Sequence, residues 1–217
     1  MSNTVPVITI DGPAGAGKGT IACMLADKFG WHLLDSGAIY RVAALAALQR
    51  NLDLQDEPTV AAMIPSLKIE FRDGDAWLDG EAVSSEIRNE TCASATSQIA
   101  ALPAVRAALL ELQRSFRQAP GLIADGRDMG TVVFPGANHK FYLTASAEIR
   151  AERRLKQLSE QGLSARLCDL IQDINARDER DANRPVAPLK PAEDAVLVDT
   201  GSLDRDEVFA AVLHHIA

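Results

Sequence analysis

The apolar run VITI at residues 7–10 leads directly into the glycine-rich sequence GPAGAGKGT at residues 12–20. The run has the length and branching of a buried strand, and Ile21, Leu25 and Phe29 then recur at helical spacing. In such a strand, loop and helix unit, glycines let consecutive backbone N–H groups point at phosphate oxygens beside the positive end of the helix dipole. The sequence therefore predicts a phosphate-binding loop formed by Gly12, Pro13, Ala14, Gly15, Ala16, Gly17, Lys18, Gly19 and Thr20.

The loop departs from its most frequent form, G-x-x-x-x-G-K-S/T, because Gly19 follows the lysine. In the frequent form the hydroxyl at that position binds Mg²⁺ directly. Its absence predicts that Mg²⁺ is held through nucleotide oxygens, water and another carboxylate. Asp125, which ends the apolar run at 122–124, is the candidate for this water-mediated metal site, with a strand-end cap as the alternative. Thr20 is expected to donate to the α-phosphate.

Five short apolar runs alternate with helical stretches, which is typical of a parallel sheet covered on both faces. Between 66 and 83, apolar residues alternate with polar ones around an Asp-Gly turn, which predicts a small antiparallel insertion. Helices are expected over 98–118, over 147–161, and from about 164 until Pro185. The predicted fold class is α/β, with a central parallel five-stranded sheet, a small antiparallel β insertion and a helical lid.

The composition excludes several classes of protein. The chain has 217 residues, of which 47% are hydrophobic, enough for one compact core, and its net charge of −8 argues against a nucleic-acid polymer as partner. Cys23, Cys92 and Cys168 show neither disulfide nor metal-ligand spacing, and no apolar stretch approaches the length of a membrane span. We expect a cytoplasmic monomer that binds neither membranes nor nucleic-acid polymers.

Several arginines indicate a second anionic ligand besides the one at the loop. Arg41 follows the second predicted strand in DSGAIYR, and Arg127 follows the third in DGRDMG. The carboxyl ends of strands in an open parallel sheet face the ligand crevice, so both side chains would reach one site. In RDERDANR, Arg177, Asp181 and Arg184 share one helical face, although a solvated, salt-bridged helix is an alternative interpretation of this charge run.

Five segments, taken in chain order, closely resemble the bacterial cytidylate kinases, a family of nucleoside monophosphate kinases. They are GPAGAGKGT, LLDSGAIYR, SQIAALPAVR, IADGRDMGTVVFP and RDERDANRPVAPL. The resemblance spans nearly the whole chain and accounts for Gly19, because that family carries Gly-Lys-Gly-Thr in its loop. It implies one P-loop NTPase domain of three layers. Its parts would be a core at about 1–40, 101–150 and 190–217, a monophosphate-binding insertion at about 41–100 with its small sheet at 66–83, and a lid at about 151–185.

The resemblance implies a reaction in which the γ-phosphoryl group of ATP, bound with Mg²⁺, passes to CMP or dCMP. Lys18 and Arg127 are expected to act in catalysis, together with Arg153, chosen among three arginines at the start of the lid. The residues expected to bind CMP are Ser36, Tyr40, Arg41, Ser97, Arg106, Arg127, Asp128, Arg177, Asp181 and Arg184.

The resemblance assigns the reading of cytosine to Ser97, Arg106 and Asp128, and the chemistry agrees. An aspartate accepts from the exocyclic amino group of cytosine and an arginine donates to N3 or O2, and uracil would not match at both positions. Tyr40 would pack on the sugar or base, with a core position as the alternative. Ala14 stands where some relatives have Ser, which removes a donor near the transferred group.

By the same resemblance, Arg41, Arg127 and Arg184 would hold the acceptor phosphate, and Arg177 and Asp181 the ribose. Two other functions remain open. Another P-loop small-molecule kinase, such as a shikimate or gluconate type, would share Lys18 but lack the base-reading residues. A nucleotide-binding switch is disfavoured by Gly19 and by the lack of an N-K-x-D sequence.

Overall fold

The computed structural model describes residues 5–72, 74–160, 162–183 and 187–216. Within these ranges the chain forms eight strands and eight α-helices. The strands are β1 (Val7–Asp11), β2 (His32–Asp35), β3 (Ile69–Arg72), β4 (Asp75–Leu78), β5 (Glu81–Ala82), β6 (Leu122–Asp125), β7 (His139–Thr144) and β8 (Val196–Asp199). The helices are α1 (Lys18–Phe29), α2 (Ser36–Gln49), α3 (Glu57–Met63), α4 (Glu90–Ile99), α5 (Pro103–Ser115), α6 (Ala147–Glu160), α7 (Leu167–Ala182) and α8 (Arg205–His214).

Five strands form a parallel sheet in the order β2, β6, β1, β7, β8. β1 lies at the centre, and all of its residues are buried. Ile10 lies opposite Asp125, which in turn lies opposite Asp35. The carboxyl ends of β1, β2 and β6 therefore reach the same edge of the sheet, from which the glycine-rich loop departs. The predicted α/β fold with its five-stranded parallel sheet is confirmed.

Helices cover both faces of this sheet. Val7 and Leu122 belong to one apolar cluster, which extends into α2, α4 and α5. Ile8 and Ile123 belong to the other, which extends into α1 and α8. Successive strand residues point to opposite faces, so neighbours on β1 enter different clusters. The result is a three-layer arrangement with the sheet in the middle.

The predicted antiparallel insertion is also confirmed. β3, β4 and β5 form a separate antiparallel sheet in that order, with Ile69 opposite Leu78. Both side chains are buried and join the apolar cluster that contains α2. On the other face, the Arg72 guanidinium lies 5.0 Å from the ring centre of Trp77. The alternation seen in the sequence thus corresponds to a sheet with one packed face.

The predicted helices need one correction. The helix expected over 98–118 is wrong at its start, because α4 ends at Ile99 and α5 begins at Pro103. Pro103 takes the first helical position and keeps Leu102 extended, with φ −84° and ψ 120°. The helix expected over 147–161 is confirmed by α6. The helix expected from about 164 until Pro185 corresponds to α7, which begins at Leu167 and ends at Ala182; Pro185 lies outside the described residues.

Gly121 precedes β6 and lies against the indole of Trp31. A Cβ atom built there would lie 2.2 Å from Trp31 Cδ2 and 2.4 Å from Cε2. We expect Gly121→Ala to lower the free energy of unfolding by about 1–3 kcal/mol, because the indole would have to shift from its packing against Phe29. Urea unfolding measures this change. Gly136→Ala is the control, since a Cβ there meets no atom within 4 Å; equal losses in both variants would contradict the packing argument.

Candidate active site

The glycine-rich loop needs its glycines at three positions. Gly12, Gly15 and Gly17 have φ angles of 141°, 81° and 86°, in the region that side chains with a Cβ avoid. A Cβ on Gly12 would also lie 2.0 Å from the carbonyl oxygen of Leu143 on β7. The loop therefore leaves β1 in close contact with the neighbouring strand and wraps the N-terminus of α1, where unpaired N–H groups and the helix dipole favour anions.

Lys18 lies over the inside of this loop. Its Nζ donates to the carbonyl oxygen of Pro13 at 3.0 Å and lies 3.7 Å from Asp125 Oδ1. The side chain is 6% exposed. Burial lowers the pKa of Lys18 to about 8, and the charge of the Asp125 carboxylate opposes this shift. The ammonium is thus held at the loop, where it can exchange the Pro13 carbonyl for phosphate oxygens.

Asp125 occupies the space beside Gly19. A Cβ atom on Gly19 would lie 3.4 Å from Asp125 Oδ2, so the carboxylate lies next to the position that a serine or threonine hydroxyl would take in the frequent form of the loop. Burial raises the pKa of Asp125 to about 6, while the charge of Lys18 lowers it and that of Asp35 raises it. A hard carboxylate oxygen at this place suits Mg²⁺ bound through water. The predicted role of Asp125 is compatible with its position and stays a prediction.

Arg127 and Asp181 were predicted separately, and the structure brings them together. Arg127 Nε donates to Asp181 Oδ2 at 3.1 Å, and the Arg127 guanidinium also donates to the carbonyl oxygen of Gly126 at 3.2 Å. Asp181 is buried near the end of α7, whereas Arg177, one turn earlier, is exposed. This ion pair joins α7 to the end of β6. Arg184, the third member of the predicted face, lies outside the described residues.

Asp11 is a site residue that the sequence reasoning missed. It ends β1 directly before Gly12, is 4% exposed, and accepts hydrogen bonds from the backbone N–H groups of Met129 and Gly130, both at 2.8 Å. Burial raises its pKa to about 6, and these two bonds oppose the shift. A charged residue at the end of an otherwise apolar strand was the available signal.

Three of the residues predicted to bind CMP lie on α2. Ser36 begins α2, and Asp35 caps it by accepting from the N–H of Ala38 at 2.9 Å. Tyr40 is half-buried and packs against the apolar core, in line with its alternative interpretation. Arg41 donates to the carbonyl oxygen of Ile87 at 3.1 Å. A role of these side chains in CMP binding stays a prediction.

The residues predicted to read the base come from separate elements. Ser97 lies on α4, is exposed, and donates to the carbonyl oxygen of Ala93 at 3.1 Å. Arg106 lies on α5 and donates to the carbonyl oxygen of Ala100 at 3.4 Å. The break between α4 and α5 therefore places Ser97 and Arg106 on different helices. Asp128 follows β6 and directly precedes a π-helical turn, Met129–Val133.

The structure distinguishes two arginines of α6. Arg150 is buried and donates to the carbonyl oxygen of Ala14 at 3.1 Å, and its guanidinium also pairs with Asp178 on α7. Arg153 instead donates to Thr200, whose hydroxyl lies within hydrogen-bond distance of the carbonyl oxygens of Ala16 and Thr144. Arg150 therefore contacts the glycine-rich loop directly, whereas the predicted residue Arg153 reaches it through Thr200.

Comparisons with known proteins agree with this arrangement. The model of the cytidylate kinase family matches residues 8–217. The cytidylate kinase of Shewanella amazonensis is 55% identical over 222 aligned residues, which cover 100% of this chain and 96% of that protein. The cytidylate kinase of Vibrio parahaemolyticus is 54% identical over 220 residues, covering 100% and 97%.

Among solved structures, an uncharacterized protein from Eubacterium ventriosum has a similar fold, with a TM-score of 0.54 over 97% of this chain and 98% of that one. Its sequence is 10% identical, so this likeness concerns the fold alone. The sequence matches extend over the loop, the insertion and the helices α6 and α7. The chain belongs to the cytidylate kinase family.

Proposed function

We propose that this protein transfers the γ-phosphoryl group of ATP to CMP or dCMP, giving ADP and CDP or dCDP. The observation that carries the proposal is the convergence of two cationic side chains at one sheet edge. Lys18 belongs to the loop that suits a donor triphosphate, and Arg127 follows β6 at the same edge, bonded to Asp181 from α7. Family membership supports CMP as the acceptor.

On the donor side, the loop N–H groups and Lys18 would surround the β- and γ-phosphates. Phosphoryl transfer needs in-line placement and positive charge around the equatorial oxygens more than covalent participation of the protein. Lys18 is already turned toward the inside of the loop by the Pro13 carbonyl. Mg²⁺, which we propose accompanies ATP, neutralises charge on the β- and γ-oxygens when bound. Asp125 would hold its hydration shell from the position beside Gly19.

On the acceptor side, Arg41, Arg127 and Arg184 would bind the monophosphate of CMP. Forked guanidinium groups suit phosphate oxygens because they donate two parallel hydrogen bonds. Asp181 would accept from the ribose hydroxyls with help from Arg177, while its bond to Arg127 keeps the sugar and phosphate sites in one arrangement. An acceptor phosphate is already a nucleophile, so no catalytic base is required.

Ser97, Arg106 and Asp128 would distinguish cytosine from uracil. Asp128 would accept from the N4 amino group, and Arg106 would donate to N3 or O2. Uracil presents a carbonyl oxygen to the carboxylate at position 4 and an N–H to the guanidinium at position 3. Half-buried charged groups would then lose their partners, which costs roughly 2–4 kcal/mol.

Closure of α6 and α7 over the donor phosphates would exclude water, which otherwise accepts the phosphoryl group. Arg150 and Arg153 both lie against the loop, directly or through Thr200, and either could supply charge in the closed state. Within the described ranges, no helix combines the length and apolar content needed to cross a membrane. A cytoplasmic location and a monomeric state remain predictions from the sequence.

A coupled assay of ADP production tests the proposed function. We expect turnover with CMP and dCMP, lower efficiency with UMP by about 30- to 1000-fold, and none with shikimate or gluconate. The last two substrates represent the alternative of another P-loop small-molecule kinase, which family membership does not favour. Equal efficiency with CMP and UMP would contradict base selection, and turnover of shikimate or gluconate alone would contradict the proposal.

Replacing Asp128 tests the base-reading assignment. Asp128→Ala should lower kcat/KM for CMP sharply and leave that for UMP unchanged or improved, because it removes both the attraction for N4–H₂ and the repulsion of the uracil carbonyl. The measurement is kcat/KM for both nucleotides in the parent and the variant, with Asp206→Ala on the exposed face of α8 as control. A variant that keeps the parent ratio would show that Asp128 does not read the base.

The lowered pKa of Lys18 predicts a pH dependence of ATP binding. The ammonium is the protonated form, so it is present below about pH 8 and is lost above that pH. We expect the Kd for ATP, measured by calorimetry, to rise by about 10-fold between pH 7 and pH 9. Asp11 and Asp125, with pKa values of about 6, are ionised throughout this range, and burial raises the pKa values of Cys23 and Tyr142. Lys18→Arg is the control.

Because a guanidinium keeps its charge, Lys18→Arg should show weaker binding that does not change over this range. A parent Kd that stays constant to pH 9, or an equal rise in Lys18→Arg, would contradict the assignment of this dependence to Lys18.

A further inference from the structure

Asp11 makes two bonds to a segment far along the chain. Its Oδ1 accepts from the N–H of Met129 and its Oδ2 from the N–H of Gly130. These N–H groups begin the π-helical turn Met129–Val133, which follows Asp128. The first N–H groups of a helical turn lack partners within the turn and are usually bonded by a nearby cap residue. Here Asp11, on a different strand, supplies the capping carboxylate.

The two ends of this contact belong to the two halves of the proposed site. Asp11 directly precedes Gly12, where the donor loop begins. Met129 directly follows Asp128, so Arg127 and Asp128 are attached to the bonded turn. A single side chain thus links the start of the donor loop to the segment proposed to bind the acceptor phosphate and base.

Both ends are closely packed. Gly12 lies against β7, where a Cβ would lie 2.0 Å from the carbonyl oxygen of Leu143. Gly130 lies against β1, where a Cβ would lie 3.0 Å from Thr9 Oγ1 and 3.3 Å from Asp11 Oδ2. The backbone at Gly12 and the backbone at Gly130 therefore cannot move closer together without displacing neighbouring atoms. The Asp11 carboxylate therefore sets a spacing that the surrounding packing maintains.

We propose that Asp11 is a positioning residue that sets the distance and orientation between the donor loop and the segment carrying Arg127 and Asp128. In-line phosphoryl transfer depends on this spacing, since small displacements of the reacting groups reduce the rate strongly. Asp11 would act through the backbone of Met129 and Gly130 and would not contact either substrate. The inference rests on the proposed function, because it assigns the two segments to donor and acceptor.

Asp11→Asn tests the inference with little change of shape. The asparagine keeps one acceptor oxygen and places an NH₂ group against the other backbone N–H. We expect kcat/KM for CMP to fall by about 20-fold or more, the Kd for ATP to change by less than about threefold, and the CMP to UMP preference to decrease. The measurements are made at a temperature where calorimetry shows the variant to be folded.

Asp204→Asn is a matched control for capping alone. Asp204 also accepts from two consecutive backbone N–H groups, those of Asp206 and Glu207, both at 2.9 Å, at the start of α8. We expect this variant to lower the Tm while keeping kcat/KM and base preference within about twofold of the parent. A purely structural role of Asp11 would give it the same behaviour.

Gly130→Ala approaches the same contact from the other side. Its Cβ would press against Thr9 Oγ1 and Asp11 Oδ2 and move the turn away from β1 while residue 11 remains an aspartate, so the same selective loss of CMP use is expected. This variant decides the question if Asp11→Asn does not fold.

The possible outcomes separate the inference from the proposed function. A parent protein that does not phosphorylate CMP would overturn the proposed function itself. If the parent is active, normal CMP use and base preference in Asp11→Asn, or in Gly130→Ala as its substitute, would overturn the positioning role alone. An equal loss of ATP and CMP binding would also overturn it.

Discussion

The arrangement of the site depends on the position of β1 at the centre of the sheet and on the tight exit of the chain from it. β1 lies between β6 and β7, and Gly12 directly follows β1 in the chain. The backbone of Gly12 lies so near β7 that a Cβ atom there would collide with the carbonyl oxygen of Leu143. The glycine-rich loop, the N-terminus of α1 and Lys18 all take their positions from this turn. The ends of β2 and β6 meet it in register, which concentrates Asp35, Asp125 and Arg127 at the same edge.

Burial gives these charged groups their properties. The chain carries a net charge of −8, yet Lys18 and Arg127 lie at the site among carboxylates. Burial raises the pKa values of Asp11 and Asp125 and lowers that of Lys18, because transferring a charge out of water favours the neutral form. Each charge is nevertheless placed against a partner, such as Pro13 for Lys18 or the turn N–H groups for Asp11. Polyanionic substrates would bind to groups that are already ordered.

Helix α7 is attached to the rest of the site by two ion pairs. Asp178 pairs with Arg150 of α6, and Asp181 pairs with Arg127 after β6. The two carboxylates are three residues apart and therefore share one face of α7. One pair lies beside the glycine-rich loop, through the bond from Arg150 to Ala14, and the other lies at the proposed acceptor site. Movement of this helix would therefore affect both substrates at once.

The amino-acid sequence by itself determined the fold class, the five parallel strands, the antiparallel insertion and the glycine-rich loop, because these depend on local periodicity and on glycine at strained backbone angles. Its resemblance to the cytidylate kinases also identified the family, which the comparisons confirmed. The break between α4 and α5 was missed, although Pro103 signalled it.

Tertiary structure decided which charges meet. Three contacts show this: Asp11 bonds to Met129 and Gly130, Arg127 pairs with Asp181, and Arg150 contacts the loop directly. The residues that they join lie between 54 and 136 positions apart in the sequence. No local pattern encodes such contacts, since they follow from how strands order within the sheet and how α7 packs across its edge.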